Sequence, residues 1–412
     1  MTRTISASAV RRFFLFGQEI ALLDLRVEAA FATGHPLFAA NLSAARIGDE
    51  ARIRLPRRDV PIVLFDDGEG LVDRAADAFA RLGFSDVWAL EDDLDGWRKA
   101  GYELFQDVNS YSKAFGELVE ARRHTPSLAA EDVAALIDEK ADIAIVDARR
   151  PSEYATMNIP GSTSVPGAEL VLRADTVAPD PDTTIIVNCA GRTRSIIGAQ
   201  SLINAGLPNR VVALRNGTIG WTLAGQALEH GSDRHAGPAG RSESFGRARA
   251  VAYRSGVRHV RPDDANALRE DESRTLYRFD VRTEEEYAAG HIQGFRHYPG
   301  GQLVQETDMA APVRGARILL ADDLGARADM TASWLAQMGW EVYVLEGGFD
   351  GSLGTLERGA QPALPPIAAA ERYKRPYEGT DNATTAMQAY LDWEYGLVGQ
   401  LERDGTHGFF VI

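Results

Sequence analysis

The residues with the clearest chemical potential surround the single cysteine of this 412-residue chain, Cys189. An apolar, β-branched run precedes it and predicts a buried strand, and a predicted helix follows and runs to about Ala205. The residues between strand and helix are small or cationic: Ala190, Gly191, Arg192, Thr193, Arg194 and Ser195. N–H groups and a helix dipole at such a junction favour a bound anion. We therefore predict that the thiol ionises more easily than that of a free cysteine, and that Ser195 caps the helix.

The two arginines of this loop indicate an anionic ligand. The guanidinium groups of Arg192 and Arg194 carry paired donors that suit sulfonate oxygens. Two alternatives are that Cys189 is a small core residue, and that the arginines form structural ion pairs with an acid such as Asp147. A core cysteine has no use for two arginines within five residues, so a nucleophilic thiol is the favoured interpretation.

Composition narrows the class of protein. A net charge of −15 disfavours nucleic acid and anionic membranes as partners. One cysteine excludes an intramolecular disulfide and an all-cysteine metal site, and it fits a reducing cytoplasm. No apolar run approaches the ~20 residues of a membrane span. We therefore expect a cytoplasmic protein that uses no metal ion and no cofactor.

Three repeated units position the loop. Each unit has a strand that ends in D-x-R, with its aspartate at Asp24, Asp147 or Asp280. A second strand follows, and the residue after it lies 42 positions beyond that aspartate in all three units: Asp66, Cys189 and Asp322. A helix and a third strand complete each unit. This alternation predicts parallel, doubly wound α/β sheets whose carboxyl-end loops form the site.

Linkers rich in Gly, Ser and Pro divide the chain into five predicted segments. Unit 1 covers 1–112, unit 2 with the cysteine covers 113–236, and a linker covers 237–255. Unit 3 covers 256–362, and 363–412 is a tail with a helix from about Asn382 to Arg403.

A family resemblance emerges from the combined motifs. They are D-x-R-x-x-x-E-[FY], G-H-I-x-G, and a strand that ends in C-x-x-x-x-R-S; the fullest copies are Asp280 to Gly294 and the Cys189 loop. Together they resemble the rhodanese-like sulfurtransferases, in three copies from Gln18 to about Gly351. The resemblance implies three rhodanese-like doubly wound domains, each a parallel sheet flanked by helices.

The resemblance also implies an activity. Such proteins move sulfane sulfur from a donor such as thiosulfate onto the cysteine as a persulfide, then to cyanide or a thiol. Here it makes Cys189 the catalytic residue, with the substrate-binding loop at Ala190, Gly191, Arg192, Thr193, Arg194 and Ser195. The expected partners are a small anionic sulfur donor and a thiol acceptor, either a small molecule or a thioredoxin-like protein. We expect structural roles for Asp147, Arg149, Glu153 and His291.

Departures from the family pattern leave alternatives open. Asp66 and Asp322 cannot carry sulfur, so we expect their carboxylates to accept N–H groups of their own loops. The Cys189 loop lacks the C-G-[ST]-G-V-T form of mercaptopyruvate-type relatives, which favours thiosulfate. Its C-x4-R spacing is one residue shorter than that of rhodanese-like phosphatases. The alternatives are a mercaptopyruvate or other persulfide sulfurtransferase, a phosphatase or arsenate reductase of this fold, and a non-enzymatic scaffold.

Overall fold

A computed structural model describes residues 2–238, 243–375, 378 and 383–412. Each of the three units contains its own parallel sheet flanked by helices, which confirms the predicted fold class. In each sheet the D-x-R strand lies beside the strand that precedes the Asp or Cys loop.

Unit 1 contains five parallel strands, and a sixth, antiparallel strand at Val313–Arg314 of unit 3 pairs with its D-x-R strand. Its elements are β1 (Arg3–Ile5), α1 (Ala7–Leu15), β2 (Ile20–Asp24), α2 (Glu28–Phe31), β3 (Ala40–Asn41), α3 (Ile47–Arg54), β4 (Ile62–Phe65), α4 (Val72–Arg81), β5 (Val87–Leu90) and α5 (Asp93–Lys99).

Unit 2 contains a five-stranded parallel sheet in the order β6-β10-β9-β7-β8. Its elements are α6 (Ser110–Arg123), β6 (Ser127–Leu128), α7 (Ala130–Asp138), β7 (Ile143–Asp147), α8 (Pro151–Thr156), β8 (Thr163–Ser164), α9 (Leu170–Val177), β9 (Thr184–Asn188), α10 (Thr193–Asn204), β10 (Val211–Leu214) and α11 (Gly217–Leu223). Helix α6 begins before the predicted start of this unit.

Unit 3 repeats the sheet order as β11-β17-β16-β12-β14. Its elements are α12 (Glu243–Arg254), β11 (Arg258–Val260), α13 (Pro262–Glu270), β12 (Leu276–Asp280), α14 (Glu284–Ala289), β13 (His291–Ile292), β14 (Arg296–His297), α15 (Gly300–Gln305), α16 (Thr307–Ala310), β15 (Val313–Arg314), β16 (Arg317–Ala321), α17 (Ala326–Gln337), β17 (Glu341–Leu345) and β18 (Leu356–Glu357). Helix α12 falls inside the predicted linker, of which 239–242 lie outside the described residues.

The tail forms two helices where the sequence predicts one. They are α18 (Ala383–Tyr395) and α19 (Leu397–Asp404), and the predicted start at Asn382 lies outside the described residues. Helix α18 packs against α6 and α11, and α19 packs against α6. The apolar end of the chain packs inward, because the ring of Phe409 makes edge contacts with Tyr111 and Phe115.

Close packing between α10 and the sheet fixes the start of α10. A Cβ atom on Gly198 would lie 2.7 Å from Leu170 Cδ1 and 2.9 Å from Val187 Cγ1, so a larger residue would force these two side chains to move. Strand β9 is buried on both sides because helices cover the sheet. The strand and helix therefore hold the intervening loop at the carboxyl edge of the sheet. Among the described residues, the helices are too short or too polar to cross a membrane.

Candidate active site

Cys189 lies directly after β9, between the neighbouring strands β7 and β10. Its side chain is buried, with 2% of the residue exposed. Helix α10 begins at Thr193 with Arg192 as its cap residue, so the prediction that Ser195 caps the helix is wrong. Ser195 is the third helical residue, and its hydroxyl donates to the carbonyl oxygen of Arg192 at 2.8 Å.

The thiol of Cys189 donates to the Ser195 hydroxyl oxygen at 3.5 Å. Burial raises the pKa of Cys189, and this effect exceeds the opposing effects of the Arg194 charge and the hydrogen bonds from Ser195. The prediction of an easily ionised resting thiol is therefore wrong. The loop motif indicated the positive charge correctly, but it could not reveal how fully the rest of the protein removes water from the sulfur.

The equivalent loops of units 1 and 3 contain a carboxylate in place of the thiol. Asp66 accepts the N–H groups of Gly68 at 2.8 Å and Leu71 at 2.5 Å. Asp322 accepts those of Leu324 at 3.2 Å and Arg327 at 2.9 Å. This confirms the expectation that each aspartate satisfies its own loop.

The same two loop positions are open in unit 2. They correspond to the N–H groups of Gly191 and Arg194, two and five residues after Cys189. Within the part of the chain that the structure describes, neither group donates to a protein acceptor. The aspartate loops of units 1 and 3 thus indicate where the unit 2 loop would hold an anion beside the sulfur.

Arg194 lies close to the sulfur and forms a two-point ion pair with Glu153. Its guanidinium donates to the two carboxylate oxygens at 2.7 and 3.0 Å. Burial favours the neutral form of Glu153, but the charge and hydrogen bonds of Arg194 lower the pKa of this carboxyl to about 2. Glu153 therefore holds Arg194 in place as a fixed positive charge, in agreement with its expected structural role.

Arg192 points to a different part of the molecule. Its guanidinium donates to both carboxylate oxygens of Glu117, each at 2.8 Å, and also binds Glu120. It also donates to Asn216 at 3.2 Å and lies 3.9 Å above the ring of Tyr395. These contacts tie the loop to α6, α11 and the tail. Its predicted role in substrate binding stays a prediction.

The aspartate–arginine pair at the end of the first strand is structural in all three units. Arg149 donates to Asp147 at 2.9 and 2.7 Å, and it also binds the carbonyl oxygen of Met157. Units 1 and 3 repeat the ion pair at Arg26–Asp24 and Arg282–Asp280. These contacts fold the segment after the strand back onto the sheet.

His291 makes packing contacts. Its ring stacks on Tyr287 with 3.7 Å between ring centres, and Nδ1 lies 3.0 Å from the carbonyl oxygen of Tyr287. Both interactions agree with its expected structural role.

A cavity of about 580 Å³ opens onto the Cys189 loop. Its walls come from the loop, from the start of α6, from residues 366–375 and from α18. Among the described residues, six cationic side chains line it: Lys113, Arg150, Arg192, Arg194, Arg372 and Arg375. Four acidic side chains from the same part of the chain also line it: Glu28, Asp107, Glu378 and Glu394. Each of these six cations already pairs with a carboxylate, so an anionic ligand would share them with their acidic partners.

Comparisons with known proteins agree with this geometry. A family model described as the rhodanese-like domain matches residues 14–100, 129–224 and 261–353. The chain belongs to the rhodanese-like domain family. A crystal structure of a thiosulfate sulfurtransferase from Pseudomonas aeruginosa is 47% identical, covers 100% of both chains and has a TM-score of 0.96.

Two curated bacterial proteins match part of this rhodanese-like chain. The thiosulfate sulfurtransferase GlpE of Pseudomonas fluorescens (strain SBW25) is 32% identical over 23% of this chain and 84% of its own length. Its namesake from Pseudomonas paraeruginosa (strain DSM 24068 / PA7) is 31% identical over 27% of this chain and 94% of its own length.

Several residues that line the candidate site have no signal in the sequence. Lys113, Arg372 and Glu394 lie far from the Cys189 motif in sequence, and they reach the cavity only because α6 and the tail pack over unit 2. No motif or sequence spacing connects these three residues with the Cys189 loop. The tail was predicted to contain a helix, but its contact with the active site had no sequence signal.

Proposed function

We propose that the chain transfers sulfane sulfur from thiosulfate to a thiophilic acceptor, cyanide or a thiol, through a persulfide on Cys189. Family membership and full-length similarity to a thiosulfate sulfurtransferase make the chain a sulfurtransferase. One observation supports the anionic donor in particular: units 1 and 3 fill two loop N–H positions with a carboxylate, and unit 2 leaves them open.

The first half-reaction forms the persulfide. The Cys189 thiol loses its proton to solvent, and the thiolate attacks the outer sulfur of thiosulfate. The sulfur–sulfur bond of thiosulfate breaks, its electron pair leaves with sulfite, and the outer sulfur stays bonded to Sγ. Burial raises the pKa of the thiol. The positive charge of Arg194 and the N–H groups of the loop must therefore favour the thiolate during the reaction.

The second half-reaction returns the enzyme to its starting state. The acceptor thiolate or cyanide attacks the outer sulfur of the persulfide. The bond between the two sulfurs breaks, and its electron pair returns to Sγ. No external oxidant or reductant enters either step. The amides of Gly191 and Arg194, which have no protein acceptor among the described residues, would bind the negatively charged outer sulfur between the steps.

The two arginines have different roles in this proposal. Arg194 carries its charge next to the sulfur and binds the sulfonate group of thiosulfate. Arg192 contributes less to binding directly, because Glu117 and Glu120 occupy its donors. It holds the loop in the shape that binds the anion.

The cavity favours a thiol over cyanide as the acceptor. Cyanide has two heavy atoms, whereas the cavity of about 580 Å³ has space for a much larger molecule. Its cationic lining suits a small thiol that carries carboxylates. We infer a reducing compartment, the cytoplasm, because the lone cysteine must stay a thiol between turnovers.

Intact mass measurement tests the proposed function. After incubation with thiosulfate, the chain should gain one sulfur atom, ~32 Da, and cyanide or a thiol should remove it. Cys189→Ser is the matched control, because it removes the single cysteine and should show no gain. An unchanged wild-type mass contradicts the proposal. Strong hydrolysis of an aryl phosphate by the unmodified chain would favour the phosphatase alternative.

A further inference from the structure

The tail helix α18 places a carboxyl group against the catalytic loop. Glu394 is 1% exposed and lines the same cavity as Cys189. A Cβ atom built on Gly191 would lie 3.2 Å from its Oε2 atom, so this oxygen lies directly against the anion-binding loop. Glu394 belongs to none of the three segments that match the family, the last of which ends at residue 353.

One oxygen of this carboxyl group lacks a hydrogen-bond partner. Oε1 accepts the hydroxyl of Tyr390 at 3.2 Å, whereas Oε2 has no partner among the described residues. An ionised carboxylate at this depth would need strong cationic or N–H partners to replace its lost hydration. The nearby ammonium of Lys113 instead binds Asp107 at 2.7 Å. The arrangement therefore favours a neutral carboxylic acid.

We propose that Glu394 is a positioning residue of the active site, and that its negative charge, when present, weakens the binding of the anionic sulfur donor by the loop. The neutral acid adds no negative charge beside the loop, so the loop N–H groups and the charge of Arg194, which Glu153 holds in place, can attract an anion. The carboxylate places a negative charge behind Gly191 and repels the same anion. This inference rests on the proposed thiosulfate activity.

The surrounding charges agree with this role. Burial has the largest effect and raises the pKa of Glu394 to about 8. Glu117 and Asp107 raise this pKa, and Lys113 and Arg192 lower it. Glu394 in turn raises the pKa of Cys189. Ionisation of Glu394 therefore disfavours both the bound donor and the attacking thiolate. As pH rises through about 8, wild-type sulfur uptake should fall relative to that of a chain with a neutral side chain at position 394.

The test compares the full-length wild type with Glu394→Gln, which stays neutral at every pH. The ratio of their kcat/KM values for thiosulfate isolates the combined effect of the Glu394 charge on donor binding and on the Cys189 thiolate. We expect a ratio near one at about pH 6.5, rising to about tenfold at about pH 9, where wild-type Glu394 is mostly ionised. Asp392→Asn is the matched control, because it removes an exposed carboxylate from the same helix. Its ratio should stay flat.

A second readout separates this inference from the proposed function. The rate of Cys189 alkylation by iodoacetamide, a neutral reagent, needs no sulfur transfer. In Glu394→Gln the alkylation curve should shift to lower pH than in the wild type. A chain that takes no sulfur from thiosulfate but shows this shift overturns the proposed function alone. A flat Glu394→Gln ratio with an unshifted alkylation curve overturns the role of Glu394. If Glu394→Gln does not fold, Glu394→Ala replaces it in both measurements, and a flat ratio with an unshifted alkylation curve overturns the role of Glu394 in the same way.

Discussion

The loop after β9 in unit 2 and the loop after β16 in unit 3 have equivalent positions in their sheets and the same arginine position. They differ in the group that their N–H groups bind. Arg194 and Arg327 each lie five residues after the first loop residue. Each arginine binds a glutamate from the helix that follows the D-x-R strand, Glu153 or Glu286. The ion-pair framework around the two loops is therefore the same.

The difference lies at the first loop residue. In unit 3 the carboxylate of Asp322 accepts three backbone N–H groups, those of Leu324, Arg327 and Ala328, and also the Arg327 side chain, at 3.1 Å from Nε. In unit 2 the thiol of Cys189 leaves the first two of the equivalent N–H groups available. One residue thus separates a loop that supplies its own anion from a loop that must bind one.

Replacing Cys189 by aspartate should reproduce the unit 3 loop within unit 2. We expect Cys189→Asp and Cys189→Ala both to lose sulfur transfer completely, because neither has a sulfur nucleophile. Only Cys189→Ala should still bind thiosulfate, since the new carboxylate would occupy the loop N–H groups. Calorimetric titration should show affinity at least about tenfold weaker for Cys189→Asp. Equal affinities would show that the open N–H groups do not bind the donor.

Removing Arg194 should weaken the unit 2 loop without filling it. We expect Arg194→Ala to lose about 1.5–3 kcal/mol of transition-state stabilisation in kcat/KM for thiosulfate, as for a charged hydrogen bond. Because this change also removes the two-point partner of Glu153 and leaves it, among the described residues, only Arg375 at 3.7 Å as an ion pair, Glu153→Gln and the double variant are needed as controls. A double variant as active as the wild type would assign Arg194 to structure alone.

Arg192→Ala should lower the stability of the protein more than its activity. We expect a smaller loss in kcat/KM than for Arg194→Ala but a larger loss in the free energy of unfolding, about 3–5 kcal/mol, because buried Glu117 loses its ion-pair partner. Urea unfolding measures this loss. A loss of kcat/KM greater than that of Arg194→Ala would make Arg192 the main donor-binding residue.

The smallest effects should come from the carboxylates of units 1 and 3. We expect Asp66→Ala and Asp322→Ala each to lower the free energy of unfolding by about 1–3 kcal/mol, because loop N–H groups lose a buried acceptor. Persulfide formation at Cys189 should continue in both variants. Loss of persulfide formation in either one would mean that the three units share the reaction.

The sequence was most informative where the repeats constrain the backbone. The shared 42-residue spacing predicted both the strands and the self-satisfied loops of Asp66 and Asp322. The spacing could not predict features that depend on packing against residues far away in the sequence. The partners of Arg192 lie on α6, more than 70 residues earlier, and the tail reaches the loop from the other direction. The raised pKa of Cys189 likewise results from burial, which the loop motif does not encode.

The pairing between β15 and β2 has a consequence for how the chain is made. Residues Val313 and Ala21 lie opposite each other, so the sheet of unit 1 is completed by a strand synthesised about 290 residues later. At ~5–20 residues per second, this interval lasts roughly 15–60 s. During that time part of the β2 edge on the nascent chain lacks its native cover, and exposed strand edges invite pairing with other chains. Unit 1 therefore depends on late translation for a complete sheet, although its own sequence contains every element of the repeat.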